Sequence, residues 1–532
     1  MHYDAIVIGS GFGGSVAALR LTEKGYKVLV IEKGRRFAAE DFPKTNWDLK
    51  RWLWMPALGM TGIFKMTFLE HVTIFSGVGV GGGSLVYANT LPVPKREFFE
   101  TGSWAGLRDW SKELAPHYAT AKRMLGAAPN PSLSTGDKLL REIAVETGRA
   151  EHFQPTDVAV FFGEPGKTVK DPYFGGKGPD RTGCTFCGAC MTGCRVGAKN
   201  TLDRNYLYLA EKLGLEILPE TEATAVRPRE GGGYAVEART GLGPFKEPRA
   251  FTADRVVFAG GVLGTVDLLL AMKADPKGLP NLSPRTGELV RTNSESLIAV
   301  ITRRRDVDLS KGVAIGSILH TDEHSHLEPV RYGQGSGFFR LLLAPHAPGE
   351  TLVQRLGRAA SALLKHPGRM LSAALVPDLA RYSQILLYMR SLEGTLSLRR
   401  RRTARHGFAE GLATELSPGA TPPAAFIPEA TELAERFAEK LDGVPVNMIT
   451  ETVQGIPSTA HILGGACIGL TPEEGVIDAN HEVFGYPGLY VVDGAAISAN
   501  PGVNPSLSIT ALAERAMSLI PPKAAAAAVA AE

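Results

Sequence analysis

The first 32 residues constrain this chain most. Residues 3–8 (Tyr-Asp-Ala-Ile-Val-Ile) read as a buried parallel strand, and Gly9-Ser10-Gly11-Phe12-Gly13-Gly14 follows at once. Ser15 to Lys24 has helical spacing, with Val16, Ala17, Leu19 and Leu21 set to face a sheet. Lys27 to Ile31 is a second strand, ending at Glu32. Together they make one βαβ unit. In Gly9-x-Gly11-x-x-Gly14, the first glycine permits a tight turn and the second lets backbone approach a pyrophosphate. The third lets the helix pack close to the strand, and the helix N-terminus offers free N–H groups to phosphates. Glu32 lies about 20 residues on, where a carboxylate accepts ribose hydroxyls. An acid there disfavours a 2′-phosphate, so NADP is disfavoured and FAD or NAD remains.

At 532 residues, the chain is long enough for two to four domains, at about 100–200 residues each. A hydrophobic share of 44% and a charged share of 21% argue against disorder or a fibrous structure. The net charge of +3 gives no case for a nucleic-acid binder. The N-terminus has no secretory-signal pattern, and no stretch of about 18 uncharged apolar residues suggests a transmembrane helix. Four of the five cysteines sit in one short run, whereas a secreted disulfide scaffold would spread them. The expected location is cytoplasmic, with reduced thiols or a metal site.

Further along, Arg35 to Leu69 reads as a long, irregular, aromatic-rich segment, and residues 137–175 as mixed helix and loop. Residues 215–258 alternate like a β-meander, with a turn at Gly231-Gly232-Gly233. Arg255 to Ala259 is an apolar strand that leads into Gly260-Gly261 and a helix through Leu270. Helices are expected from Glu429 to Leu441 and from Asn504 to Leu519, with a strand from Leu489 to Val492. The alanine tail from Ala524 to Glu532 is expected to fray.

Two further motifs narrow the choice of cofactor. Gly77-Val78-Gly79-Val80-Gly81-Gly82-Gly83-Ser84 is too glycine-rich for a core strand and would bring backbone N–H groups close to a flat or anionic ligand. The C-terminal stretch holds His461-Ile462-Leu463-Gly464-Gly465, then Tyr490-Val491-Val492-Asp493-Gly494, then Gly502-Val503-Asn504-Pro505-Ser506. With the N-terminal unit and Ala259-Gly260-Gly261-Val262-Leu263-Gly264-Thr265, these motifs resemble those of the glucose–methanol–choline (GMC) oxidoreductases. The likeness is greatest to the bacterial cholesterol oxidase-like branch with non-covalent FAD.

The resemblance implies an α/β protein with a Rossmann-like FAD-binding domain built from discontinuous segments (1–45, 200–295 and 475–522). A sheet-and-helix substrate domain (46–199 and 296–474) would lie over the flavin, with 523–532 as a frayed tail. It implies oxidation of a secondary alcohol on a bulky apolar substrate, sterol-like or terpenoid-like, by hydride transfer to flavin N5. His461 stands where the family keeps its active-site histidine, and Asn504 where the sterol-oxidising branch keeps an asparagine near the substrate oxygen. The cofactor-binding residues so implied are Gly9, Gly11, Phe12, Gly14, Glu32, Gly79, Gly83, Ser84, Asn89, Asp493, Gly494, Pro505 and Ser506. A histidine can hold or take a hydroxyl proton near neutral pH, which suits that role. Two rival readings stay open: a redox-neutral flavoprotein (an isomerase or light-driven decarboxylase) and a non-catalytic lipid-binding flavoprotein. Cholesterol oxidases that also isomerise their product use a glutamate base in the substrate domain. The stretch that aligns with it here, Tyr382 to Tyr388, holds no carboxylate, which argues against isomerisation.

Cys184-x-x-Cys187-x-x-Cys190-x-x-x-Cys194 matches the spacing of a ferredoxin run. An iron–sulfur cluster, structural zinc and free thiols are the three readings of it. A cluster would make a redox partner the electron acceptor; otherwise oxygen is expected. Finally, the basic, apolar stretch Gly335 to Leu375, with Arg340, Arg355, Arg358, Lys365 and Arg369, reads either as a lid in peripheral contact with a membrane or as a solvated helix pair with one buried face.

Overall fold

The computed structural model describes residues 1–365, 367–403, 409–417, 419 and 421–524. Residues 525–532 of the alanine tail lie outside the described residues.

Two seven-stranded sheets position everything else. In the first, Glu216–Leu218, Val28–Ile31, His2–Ile8 and Glu247–Phe258 run parallel, with Ala5 level with Val28 on one side and Arg255 on the other. Leu489–Val491 adds a parallel strand beside Val256–Phe258. Tyr234–Thr240 and Thr221–Pro228 fold back antiparallel from the other half of that long strand. Val28–Ile31 is buried at every position because the sheet is covered on both faces. This is the expected α/β architecture, its strands drawn from widely separated parts of the chain.

The helix Phe12–Glu23 packs on this sheet beside the helix Ser506–Ser518. The two are joined by a fork: Arg20 Nε and Nη2 donate to the Glu514 carboxylate at 2.7 and 2.8 Å. Tyr206 donates to the same carboxylate at 2.7 Å. Just beyond, Lys24 Nζ donates to Met517 O at 2.5 Å, Tyr26 to Pro521 O at 2.8 Å, and Lys523 pairs with Asp4 at 2.7 Å. The stretch after Ser506 is thus bolted onto the first unit.

The second sheet is antiparallel throughout. Its order is Leu343–Pro345, Gly443–Met448, Ser296–Thr302, Ser383–Arg390, Ser325–Val330, Ser317–His320 and Phe153–Pro155. Strand periodicity divides it into two faces. Ile298, Val300, Leu327, Leu386 and Tyr388 pack under the helices Thr135–Glu146 and Pro428–Leu441, whose Leu140, Ile143, Leu433 and Phe437 complete that core. The alternate residues Leu297, Ala299, Val330, Ile385 and Leu387 face a cavity between the sheets.

One stretch carries more order than expected, and another takes one of its two expected forms. Phe64–Phe68 pairs antiparallel with Thr73–Gly77 inside and beyond the segment that reads as irregular, and Trp52 stacks on Phe64 with ring centroids 4.6 Å apart. The strand Phe-Lys-Met-Thr-Phe is too short for its alternation to stand out. Residues 352–365 and 367–374 form two helices. Val353, Leu356, Leu364 and Leu371 on them, and Leu375 just beyond, are exposed, while Arg355 is buried against the carbonyls of Thr452, Gly349 and Glu350.

Candidate active site

A cavity of about 740 Å³ runs between the glycine turn of the first sheet and the inner face of the second. At one end lie Gly9, Gly11, Phe12 and Glu32; at the other lie Leu297, Val330, Ile385 and Leu387. His461, Asp493, Gly494, Asn504, Pro505, Ser506 and Gly83 line it between them. Gly14, Gly79, Ser84 and Asn89 do not. Gly14 instead lets the helix approach the strand, since a Cβ there would lie 2.0 Å from Gly9 O. Gly79, at φ +136°, is hemmed by Leu85 and Phe37. Ser84 donates to Gly81 O at 2.7 Å and accepts from Leu202 N at 3.0 Å. Asn89 is buried at φ +72°, toward Cys190.

The polar end fits a dinucleotide cofactor. Gly9 is at φ +101°, with a Cβ excluded by Ala259 O at 2.3 Å, so only glycine makes this turn. Gly11, by contrast, has open space where a Cβ would point. Gly82 closes on Gly11 so tightly that a Cβ would lie 2.6 Å from its Cα, which brings the second glycine cluster against the first turn. Glu32 is fixed by Ser10 N at 3.1 Å, Ser10 Oγ at 2.7 Å and Gly34 N at 2.8 Å. Its oxygens retain lone pairs for ribose hydroxyls. Asp493 accepts from Thr265 Oγ1 at 2.5 Å and Ala495 N at 2.9 Å, and burial pushes its carboxyl up to about 6. Asn504 Oδ1 and Ser506 Oγ are buried without protein partners. They stand at the N-terminus of the helix Ser506–Ser518, whose dipole favours negative charge.

In the middle of the cavity wall, His461 Nδ1 lies 2.8 Å from Glu295 Oε1. Glu295 is wholly buried and is also approached by Thr459 Oγ1 at 2.7 Å and Ala460 N at 3.2 Å. Burial pulls the His461 pKa down, but the Glu295 carboxylate outweighs it, and the net shift is upward; Glu328 adds to it. Such a carboxylate fixes the ring and leaves Nε2 as the working nitrogen. Asn504 shares the cavity with it.

Glu295 and Glu328 were not foreseen. Glu328 sits directly opposite Leu387 across the ladder between Ser325–Val330 and Ser383–Arg390, so both project to the cavity face. It is wholly buried, and neither carboxylate oxygen has a hydrogen-bond partner among the described residues. Residues 382–388 hold no carboxylate, as expected, but an acid reaches the same face of the sheet. The acid is supplied by the neighbouring strand rather than by residues 382–388. The available signal was His326 and Glu328 as alternate polar residues in an otherwise buried strand.

The cysteines form a separate feature. All four line a pocket of about 20 Å³ that also holds Lys199. The Lys199 ammonium donates to Leu85 O at 3.0 Å and Cys190 O at 2.8 Å. Burial pushes the Cys184 thiol up to about 12, raises Cys190 and pulls Lys199 down to about 7. Among the described residues, no group of three or more His, Cys, Asp or Glu side chains is arranged to hold a metal ion. The iron–sulfur and zinc readings of Cys184, Cys187, Cys190 and Cys194 thus find no geometric support. Spacing alone does not make thiols converge on a point, and a lysine occupies their midst.

Comparison with known proteins places these features in context. Family models described as GMC oxidoreductase match residues 3–272 and 386–513. A cholesterol oxidase from Acinetobacter baumannii is 45% identical over 98% of this chain and 95% of its own length. One from Mycobacterium tuberculosis is 47% identical over 98% and 91%. A 2-methyl-1,2-propanediol dehydrogenase from Mycolicibacterium austroafricanum is 25% identical over 96% and 94%. The solved structure of a pyridoxine 4-oxidase from Mesorbium loti superposes with a TM-score of 0.62 at 14% identity, covering 97% of this chain and 98% of that one, a likeness of fold.

Proposed function

The chain belongs to the GMC oxidoreductase family and is an FAD-dependent enzyme acting on CH–OH donors, and from that premise we propose that its substrate is the secondary alcohol of a sterol. The observation that carries this reading is His461, backed by buried Glu295, in one cavity with Asn504 and an apolar sheet face. His461 Nε2 takes the hydroxyl proton, and Glu295 stabilises the charge that this leaves on the ring. Asn504 positions the substrate oxygen with a neutral amide that does not compete for the proton. Leu297, Val330, Ile385 and Leu387 supply a dry wall for a rigid hydrocarbon. FAD, when bound, supplies the hydride acceptor. Neither a redox-neutral flavoprotein nor a lipid carrier needs the histidine–carboxylate pair.

The cofactor is held non-covalently, through the Gly9–Gly14 turn and Glu32, and oxygen is the electron acceptor. The first rests on the site's own residues, and the second on the two cholesterol oxidases at 45% and 47% identity. Peripheral membrane contact is assigned to the helices 352–365 and 367–374. Their exposed leucines, with Arg358 and Lys365, suit an anionic lipid surface. The test of the main reading is an anaerobic titration of the purified, yellow protein with a sterol. Bleaching of the flavin band, with one ketone formed per flavin and intact FAD released by heat, is expected. No bleaching by any 3-hydroxysterol would overturn it.

A second reading is favoured by Glu328. Oxidation of a 5-ene sterol gives a ketone whose neighbouring carbon is acidic, and a buried carboxylate facing it can move a proton along to give the conjugated enone. The enzyme then oxidises and isomerises. Glu328→Gln is expected to release the unconjugated ketone, seen as loss of enone absorbance while flavin reduction continues. Undiminished enone formation would rule it out.

A further inference from the structure

Burying an ionisable carboxylate with both oxygens unpartnered is costly, and Glu328 has a single titratable neighbour on its own strand. His326 Nε2 lies 3.6 Å from Glu328 Oε1 and is itself buried without a hydrogen-bond partner. His326 is level with His320 on the next strand, and their rings stand 5.9 Å apart, edge to face. The His320 Nδ1 is likewise buried and unpartnered, while the residue as a whole is only half-buried. Beyond it lies the exposed turn of residues 321–324, where Lys95 Nζ donates to Asp322 O and Glu323 O at 2.9 and 2.7 Å. Glu328, His326 and His320 therefore form a row on the cavity-facing side of the sheet, running toward its rim. Burial, reinforced by His326, Lys95 and His152, holds His320 neutral. A neutral imidazole can accept a proton on one nitrogen and release one from the other.

We propose that His326 and His320 form a proton relay joining the buried Glu328 carboxylate to solvent at the rim of the second sheet. The inference rests on the reading of Glu328 as the isomerisation base. Glu328 takes the proton from the carbon between ketone and double bond, breaking one C–H bond. It then either returns that proton two carbons along, forming one C–H bond, or passes it through His326 and His320 to solvent. In the second case an incoming solvent proton forms the new bond. One proton leaves, one enters, and no electrons are exchanged.

The test runs the FAD-loaded enzyme on a 3-oxo-5-ene steroid in deuterium oxide and measures deuterium in the early enone by mass spectrometry. The wild-type product is expected to carry solvent deuterium. His326→Phe, and separately His320→Phe at the less buried end, should lower that content severalfold. Imidazole added to His326→Ala should restore it, an effect that a merely structural role would not produce. Equal deuterium in the wild type and both Phe variants, or a deuterium-free wild-type product, would overturn the relay while leaving Glu328 as the base. Failure of the wild type to convert the steroid at all would overturn the base assignment, and the relay with it.

Discussion

At the scale of single residues, the histidine and its buried carboxylate make separable predictions. His461→Gln should slow anaerobic flavin reduction by roughly 10²–10⁴-fold, the usual span for a lost general base, with FAD retained. An unchanged rate would make the ring structural. Glu295→Gln removes the charge that raises the His461 pKa and leaves burial to lower it. The acidic limb of kcat/KM should then move to lower pH, and a fixed limb would detach Glu295 from the base. Glu451 offers a test of stability. It is buried, and burial pushes its carboxyl up to about 8, against about 4.3 for a free glutamate. Its protonated form stabilises the fold fully below pH 4–5, and that contribution drains away as pH rises through about 8. The Tm gain of Glu451→Gln over the parent should therefore grow between pH 5 and 8, and a constant difference would refute this. His461 was legible because a fixed motif surrounds it. Glu295 and Glu328 were not: Glu295 meets His461 only through contacts with the distant residues 459–461, and strand register alone turns Glu328 to the same face as Leu387.

At the scale of elements, the helix 367–374 leans on the strands that wall the cavity through Ala373, and the stretch after it does so through Val376 and Leu379. Among the described residues, nothing covers the outward leucines of the helices 352–365 and 367–374. Leu356→Ser combined with Leu364→Ser should abolish sedimentation with anionic vesicles yet leave turnover of detergent-dispersed sterol unchanged. Vesicle binding equal to the parent would assign this face another role. The first βαβ unit was readable because the turn, helix and strand signals all agree within it. The Phe64–Phe68 hairpin strand was not, since its partner Thr73–Gly77 borders a glycine cluster that masks strand character. The cysteine run has the spacing of a metal site, whereas its surroundings are apolar and protonating and hold a lysine.

At the scale of the whole molecule, the parallel sheet closes only when Leu489–Val491 joins Val256–Phe258 and Glu514 receives the Arg20 fork. Removing one partner of such a buried pair costs about 3–5 kcal/mol. Glu514→Ala should therefore lower Tm by several degrees and speed the thermal release of FAD. A Tm equal to the parent's would show that the fork contributes nothing. The same arrangement bears on biosynthesis. The glycine turn emerges from the ribosome first, whereas Asp493, Asn504 and the helix that seals the site emerge last. At about 5–20 residues per second, the nascent N-terminal unit waits tens of seconds for its lining. Flavin capture then follows the synthesis of those later segments, and a supply of FAD at that moment governs how much of the enzyme matures.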